Sequence, residues 1–304
     1  MRILVFGAGA MGSFLAGVLS QKHDVTIYGR GDKIEVVRET GIKISGKTEL
    51  VAKMKTALNP KEIEKNDYDL IVLAVKSYDT STALKVIKKM ESTATILSLQ
   101  NGLDNEIRIA EAIGKERTLG GVTSHGITFV ESGHVQHAGT GETIIGELDG
   151  KETGSVRKVC QALTSIGIET RISKIINSEI WTKGIVNAGI NPLTALTRLH
   201  NGYLLKIPWL TRLLENTCQE CIAVAQKAGI DLQGCDIIEK TKNVARLTGE
   251  NKSSMLQDIE RGRRTEIDSI NGRIVEVGKK HGVKTPINSA LVALVKGIEE
   301  GSKR

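Results

Sequence analysis

Met1-Arg2-Ile3-Leu4-Val5-Phe6-Gly7-Ala8-Gly9-Ala10-Met11-Gly12 is the stretch on which the fold turns. An apolar run at the very start of the chain reads as a strand, and a helical pattern over Met11 to Ser20 follows it at once. A G-x-G-x-x-G match carries weight only in that strand-to-helix context, and this one has it. Gly7 permits the tight turn, Gly9 lets the backbone approach a pyrophosphate, and Gly12 lets the helix pack on the strand. The helix N-terminus, with Ala10 and Met11 at its start, then faces the anion.

Outward from this stretch, short apolar runs alternate with helical patterns. Strands are expected at Ile3 to Phe6, Val25 to Tyr28, Leu70 to Val75 and Ala94 to Leu99, and helices near Met11 to Ser20, Thr80 to Met90 and Asn105 to Ile113. Such alternation implies a parallel sheet covered by helices. Between Thr118 and Gly146 the glycines and β-branched residues suggest shorter, more antiparallel strands that extend the sheet, with a hairpin around Glu131-Ser132-Gly133. From Ile175 to Lys296 the pattern changes to successive amphipathic helices with almost no strand signal. The expected class is α/β: a Rossmann-type N-terminal domain over residues 1–172, then an all-helical domain over residues 173–304. No internal repeat is evident, and the polar tail Glu299 to Arg304 reads as frayed.

Composition narrows the partners. The 304 residues carry a net charge of +7, but the lysines are dispersed and aromatics make up only 3%, which argues against a nucleic-acid surface. The same charge suits a phosphate-rich cofactor and a carboxylate substrate. No apolar run reaches the roughly 18 residues needed to span a bilayer, so a cytoplasmic protein without membrane partners is expected. Cys160, Cys218, Cys221 and Cys235 are too sparse for a disulfide framework. Cys218 and Cys221 have C-x-x-C spacing, but no second pair or nearby histidine completes a metal site, so core packing is favoured and no metal is expected. A homodimer is the assembly considered.

An NAD-selective site usually carries an acidic residue at the end of the second strand, where it holds the ribose hydroxyls. This chain has Tyr28-Gly29-Arg30 instead. An arginine there can bind the 2′-phosphate of NADPH through charge-assisted bonds. Asp32 lies two residues on, and a solvated loop arginine is the alternative. Lys76 ends the third strand and Asn101-Gly102 follows the fourth, at the strand ends where ligands collect in such sheets.

In the helical half, Lys183, Asn187 and Asn191 recur at four-residue steps inside an otherwise apolar stretch, so one helix face carries all three. Polar groups there are costly unless partners or ligand meet them. Pro192 should kink or end that helix. A second constellation is Asn251-Lys252-Ser253-Ser254-Met255-Leu256-Gln257-Asp258, followed by Thr265-Glu266-Ile267-Asp268. On one straight helix Ser254 and Glu266 would stand about 18 Å apart, so a break is expected near Arg261-Gly262-Arg263. Thr265 would cap a new helix with Asp268 as its capping-box partner, placing Glu266 in the first turn.

Together with the glycine loop, Lys76 and Asn101-Gly102, these two stretches resemble ketopantoate reductase, also called 2-dehydropantoate 2-reductase, across nearly the whole chain. Trp-x-Lys-x-x-x-Asn-x-x-x-Asn-Pro-Leu-Thr-Ala from Trp181, and Ser-Ser-Met-Leu-Gln-Asp with a following Thr-Glu-Ile-Asp, are not general features of dinucleotide folds. The resemblance implies a Rossmann-type domain joined to a helical one, with the substrate in the cleft between them, and a place in pantothenate and coenzyme A biosynthesis. It implies Lys183 as general acid, Glu266 as a substrate-binding carboxylate, and Asn101, Asn187, Asn191, Asn251 and Ser254 as further substrate contacts. Arg30 and Lys76 match the family's cofactor phosphate and nicotinamide-side positions.

The chemistry points the same way. Hydride delivered to a ketone carbon leaves an alkoxide, which needs a proton donor within hydrogen-bond reach. Lys183 can serve, and His125 in Thr123-Ser124-His125-Gly126 is the rival. The alternatives are reduction of another branched 2-keto acid on the same scaffold, and an NADPH-binding regulator without catalysis. A sensor would need neither a proton donor nor a substrate carboxylate.

Overall fold

A computed structural model describes residues 1–64, 67–232 and 234–301, with the side chains of Asp32 and Glu64 outside that description. By contacts the chain divides into two compact units, one of Met1–Gln100 with Asn105–Ile176 and the other of Asn101–Asp104 with Asn177–Arg304. The first runs β1 (Arg2–Phe6), α1 (Ala10–Leu19), β2 (Asp24–Tyr28), α2 (Asp32–Thr40), β3 (Ile42–Gly46), β4 (Leu50–Ala52), β5 (Lys55–Ala57), α3 (Lys61–Glu64), β6 (Leu70–Leu73), α4 (Thr80–Lys89), β7 (Thr95–Ser98), α5 (Asn105–Ile113), β8 (Thr118–Thr123), β9 (Gly126–Glu131), β10 (His134–Gly139), β11 (Thr143–Glu147), α6 (Gly154–Ser165) and β12 (Thr170–Ile172).

Its main sheet has eight strands in the order β12-β11-β8-β7-β6-β1-β2-β5. All neighbours are parallel except β8 and β11. The apolar run of β1 follows from burial on both faces. Ile3 and Val5 join a core with Val25, Ile27, Leu70 and Val72 under α1, whereas Leu4 and Phe6 join a second core with Ile71, Leu73, Leu84 and Ile87 under α4.

Of the segment Thr118 to Gly146, all of which is expected to extend this sheet, only β8 and β11 lie in it. The expected hairpin forms, but β9 and β10 pair with β3 and β4 in a separate sheet of order β4-β3-β10-β9. The reason lies in α1, whose ten residues include eight that are buried. A helix apolar around most of its circumference needs cover on both sides. Ile42, Ile44, Phe129 and Val135 from the small sheet supply the second side. A Cβ added at Gly17 would come within 2.8 Å of the Ile44 side chain.

The second unit is helical: α7 (Ile176–Thr197), α8 (Tyr203–Lys206), α9 (Pro208–Lys227), α10 (Ile237–Leu247), α11 (Ser254–Glu260), a π-helical turn at Asp268–Gly272, α12 (Arg273–Lys280) and α13 (Pro286–Gly301). The tail expected to fray is helical through Gly301, and residues 302–304 lie outside the described residues. Among the described residues no helix is long and apolar enough to cross a membrane.

Cys218 and Cys221 face this core. Cys218 Sγ sits 3.7 Å from Thr241 Oγ1, and a Cβ at Gly189 of α7 would lie 2.7 Å from the same sulfur. Burial pushes the Cys218 thiol up to about 11 and the Cys221 thiol well above its ordinary value, so both stay protonated and unreactive.

The strand-to-helix turn is the tightest point of the first unit. A Cβ at Gly12 would lie 1.8 Å from the Gly7 carbonyl oxygen, whereas one at Gly9 would meet nothing nearer than Ala74 O at 4.0 Å. Gly12→Ala is therefore expected to lower unfolding stability by at least about 1–3 kcal/mol, because backbone cannot give way as a side chain can. Gly9→Ala is expected to leave it nearly unchanged. Denaturant titration of the two variants checks the contrast; equal midpoints would refute it.

Candidate functional site

In the first unit the glycine loop closes β1. Gly7 takes φ 124°, and its amide donates to Tyr28 O at 2.9 Å. Gly9 is the N-cap of α1 and has no side chain with which to satisfy the first amides of the helix. The N–H groups of Ala10, Met11 and Gly12 therefore have no intrahelical acceptor, and they present a partial positive charge. Gly9 adopts φ −83°, open to any residue, and the protein leaves room for its Cβ. The missing side chain thus serves no contact within the chain, and the loop fits a diphosphate drawn close to the backbone.

Because β1, β2, β6 and β7 run parallel, the residues after them share one edge of the sheet. Arg30 is exposed just beyond β2, while the Asp32 side chain lies outside the described residues. Lys76 follows β6, which ends at Leu73 rather than running to Val75. A buried polar network holds the chain there. Gln100 Nε2 donates to Val75 O and to Thr80 Oγ1, each at 2.8 Å. Thr80 Oγ1 donates to Asn105 Oδ1 at 2.9 Å, and Asn105 Nδ2 donates to Ser77 Oγ at 3.1 Å. None of these four residues is among the candidates drawn from the sequence; their signal is a run of polar side chains just past two strand ends.

In the second unit α7 is buried on most of its surface. Lys183 and Asn187 are half-buried, and Asn191 is buried at 6% exposure. Of the two outcomes expected at Pro192, a kink or an end, the end does not occur: α7 continues to Thr197. The Ala188 carbonyl, which loses the amide partner that proline lacks, instead accepts from Asn271 Nδ2 at 3.1 Å.

Asn101 belongs to this unit by its contacts. Its Nδ2 donates to Glu266 Oε2 at 3.5 Å, although 165 residues separate the two. Two residues on, the Leu103 amide donates to Ser269 O at 3.1 Å. A Cβ at Gly184 would lie 2.4 Å from the Leu103 side chain. The segment 101–104 thus lodges against the Glu266 stretch on one side and against α7, one residue past Lys183, on the other. Glu266 itself is buried at 6% exposure.

Asn251 and Ser254 are exposed at the start of α11. The neighbour that ties them down is buried Ser253. Its Oγ accepts from Leu256 N at 3.1 Å as N-cap and from Thr194 Oγ1 of α7 at 2.7 Å. The expected break is present: α11 ends at Glu260, and Gly262 takes φ 60°.

Beyond the break the capping box does not form. Thr265 Oγ1 accepts from Ile267 N at 3.2 Å, but the Thr265 amide donates to Glu299 Oε1 at 2.7 Å, not to Asp268. Asp268 bonds Lys296 at 3.0 Å and Arg264 at 3.2 Å instead. Burial raises its pKa, yet those two cations hold it below the usual carboxylate range. The turn that follows is π-helical, so Glu266 precedes a π turn rather than sitting in an α-helix.

His125 lies in the other unit. Its Nδ1 is 3.0 Å from His137 Nε2, and His137 Nδ1 is 2.9 Å from Thr48 Oγ1. Burial, then the neighbouring His137, lowers the His125 pKa, so it is neutral at pH 7. Packed beside Phe14, it reads as structural. Among the described residues no cluster of three or more His, Cys, Asp or Glu side chains could hold a metal ion.

Comparison with known proteins fits this geometry. Residues 3–150 match the family model described as ketopantoate reductase PanE/ApbA, and residues 175–299 match that for its C-terminal region. A 2-dehydropantoate 2-reductase of Archaeoglobus fulgidus is 37% identical over 302 residues, covering 99% of this chain and 98% of the relative. A PanE/ApbA family ketopantoate reductase from Ralstonia eutropha JMP134 superposes with a TM-score of 0.92 at 29% identity, over 100% of both chains. A D-mandelate dehydrogenase, solved in a ternary structure with NADH and anilino(oxo)acetate, superposes with a TM-score of 0.93 at 27% identity, also over 100% of both. With a Rossmann-type sheet, a helical second unit and both halves of the family model matched in order, this chain belongs to the ketopantoate reductase family of oxidoreductases.

Proposed function

We propose that the chain reduces 2-dehydropantoate to pantoate with NADPH, as a step of pantothenate and coenzyme A biosynthesis in the cytoplasm. The observation that carries this reading is buried Glu266, met by Asn101 in the same unit as the half-buried Lys183 and Asn187 of α7. A carboxylate and a cation placed among amides suit a small acid that bears both a ketone and a hydroxyl. In this reading residues 1–172 hold the cofactor and residues 173–304 bind and protonate the substrate.

Bound NADPH would supply the hydride. The amides of Ala10, Met11 and Gly12, with Gly7 and Gly9 leaving the backbone bare, would hold its diphosphate, Arg30 its 2′-phosphate, and Lys76 and Asn101 the nicotinamide side. Lys183 Nζ would hydrogen-bond the ketone oxygen and give it a proton as the carbon gains hydride, which turns the C=O into a secondary alcohol. Glu266 would accept a hydrogen bond from the substrate hydroxyl, and Asn187, Asn191, Asn251 and Ser254 would complete the polar contacts. No metal takes part in this scheme, and a homodimer is its working assembly.

Loss of reduced-nicotinamide absorbance when NADPH and ketopantoate meet the protein tests the proposal. The likeness to D-mandelate dehydrogenase favours one second reading, a related 2-keto acid as substrate. A panel that includes the keto acid corresponding to mandelate separates the two. A protein that binds NADPH but turns over no keto acid would be a regulator.

Cofactor choice gives a sharper test. Arg30→Ala is expected to raise the KM for NADPH by roughly 10- to 150-fold, the worth of a charge-assisted phosphate contact, and to leave that for NADH unchanged. Equal use of both cofactors by the unaltered protein would overturn the role given to Arg30.

A further inference from the structure

Helix α7 runs through Pro192, which has no amide hydrogen, so the Ala188 carbonyl lacks its regular i+4 donor. Asn271 supplies the donor from the π-helical turn Asp268–Gly272, five residues after Glu266. The orientation of its carboxamide is forced. One Nδ2 hydrogen goes to Ala188 O at 3.1 Å and the other to Asn288 Oδ1 at 2.9 Å. Asn288 Nδ2 in turn donates to Glu220 Oε2 at 2.7 Å and to Thr217 O at 3.3 Å. Carboxylate and carbonyl oxygens only accept, so Asn288 must turn its oxygen to Asn271, and Asn271 must donate both ways. Glu220 is fixed as well, because the amides of Ile287 and Asn288 donate to its two oxygens at 2.9 and 3.0 Å. Asn271 and Asn288 have no exposure at all.

We infer that Asn271 is a positioning residue for the reduction proposed above: it uses the gap left by Pro192 to clamp the Glu266 segment onto the turn of α7 that carries Asn187 and Asn191. Ala188 follows Asn187 directly and precedes Asn191 by three residues, so the bond acts on the turn of α7 that carries both, about 100° round the helix from Asn187. With an amide at 192 the Ala188 oxygen would still keep a second lone pair for Asn271, so Pro192 makes the side-chain donor obligatory while its removal leaves the clamp in place. Because Asn271 is fully buried, it acts through Glu266 and α7, not on the substrate. The inference rests on that function.

Three full-length variants, Asn271→Ala, Pro192→Ala and the double variant, separate positioning from mere stability. Each is assayed for Tm, for NADPH affinity by fluorescence titration, and for kcat and KM with ketopantoate. Asn271→Ala is expected to lower Tm and to cut kcat/KM by roughly 10- to 100-fold, the effect of an ångström-scale misplacement, with NADPH affinity unchanged. Adding Pro192→Ala gives the Ala188 carbonyl a helical donor again. Tm then recovers in part, Asn288 Oδ1 still lacking its donor, while kcat/KM stays low because the clamp is still missing. Pro192→Ala alone, which keeps Asn271, retains kcat/KM. Recovery of kcat/KM together with Tm would make Asn271 purely structural and overturn the inference, as would full kcat/KM in Asn271→Ala. If that single variant does not fold, the double variant decides alone. An unaltered protein inactive on ketopantoate would overturn the proposed function instead, and the clamp is then read with whichever 2-keto acid of the panel the protein reduces.

Discussion

Lys183→Ala is expected to lower kcat for keto-acid reduction by roughly 10²–10⁴, the usual worth of a positioned proton donor, while NADPH binding stays nearly intact. Lys183 stands on α7 in the second unit, and the glycine loop and Arg30 stand in the first, so the variant separates chemistry from cofactor binding. The rate in the unaltered protein should fall at high pH as the ammonium deprotonates, and the variant should lack that limb. Glu266→Ala is expected to behave differently: it removes the proposed substrate contact beside Asn101, so KM should rise as kcat falls. Stopped-flow and steady-state kinetics across pH check both. Near-full kcat in Lys183→Ala with the basic limb preserved would assign the proton to another group. His125 is poorly placed for that role, since its Nδ1 is engaged with His137 and burial lowers its pKa.

Ketopantoate is expected to exceed 2-ketoisovalerate in kcat/KM by a wide margin, up to about 10⁴-fold. The two differ in the hydroxyl on C4. Glu266 is buried, with Asn101 on one oxygen, and a substrate hydroxyl offers it a further donor. In the proposed site the absence of that hydroxyl removes a hydrogen bond from a buried carboxylate, and the cost falls on the wrong substrate. Competition between the two keto acids in one assay measures the ratio directly. A ratio near unity would move the reading to a reductase of plain branched 2-keto acids.

The strand-helix alternation of the first unit was legible because each signal is local. Unbroken apolar runs at Ile3 to Phe6 and Leu70 to Leu73 reflect cover on both faces, and the helix over Asn105 to Ile113 forms with the expected limits. Less legible was the region from Asp32 to Ala57. Of its three short strands only β4 pairs solely with its neighbour β3; β3 also pairs with β10 and β5 with β2, and no pattern within three to five residues specifies such partners. Pro192 left a kink and a helix end both open for a similar reason. Its local rule is sound, but the rule does not see Asn271, whose side chain reaches Ala188 from 83 residues away.

For the candidate site the same division holds. The glycine spacing at 7, 9 and 12, the four-residue step of Lys183, Asn187 and Asn191, and the break at Gly262 depend only on backbone geometry within one turn or one helix, so the sequence by itself determined them. Tertiary structure alone decided that Asn101 reaches Glu266, that Ser253 bonds Thr194, that Glu299 caps Thr265 in place of Asp268, and that Asn271 stands in for the missing amide of Pro192. Each of these bonds joins residues 34 to 165 positions apart. Helical and strand periodicity are set by a few successive dihedral angles and can be read along the chain, but a buried polar group takes whichever partner the packed elements bring within about 3 Å, and that is settled only when the whole unit has folded.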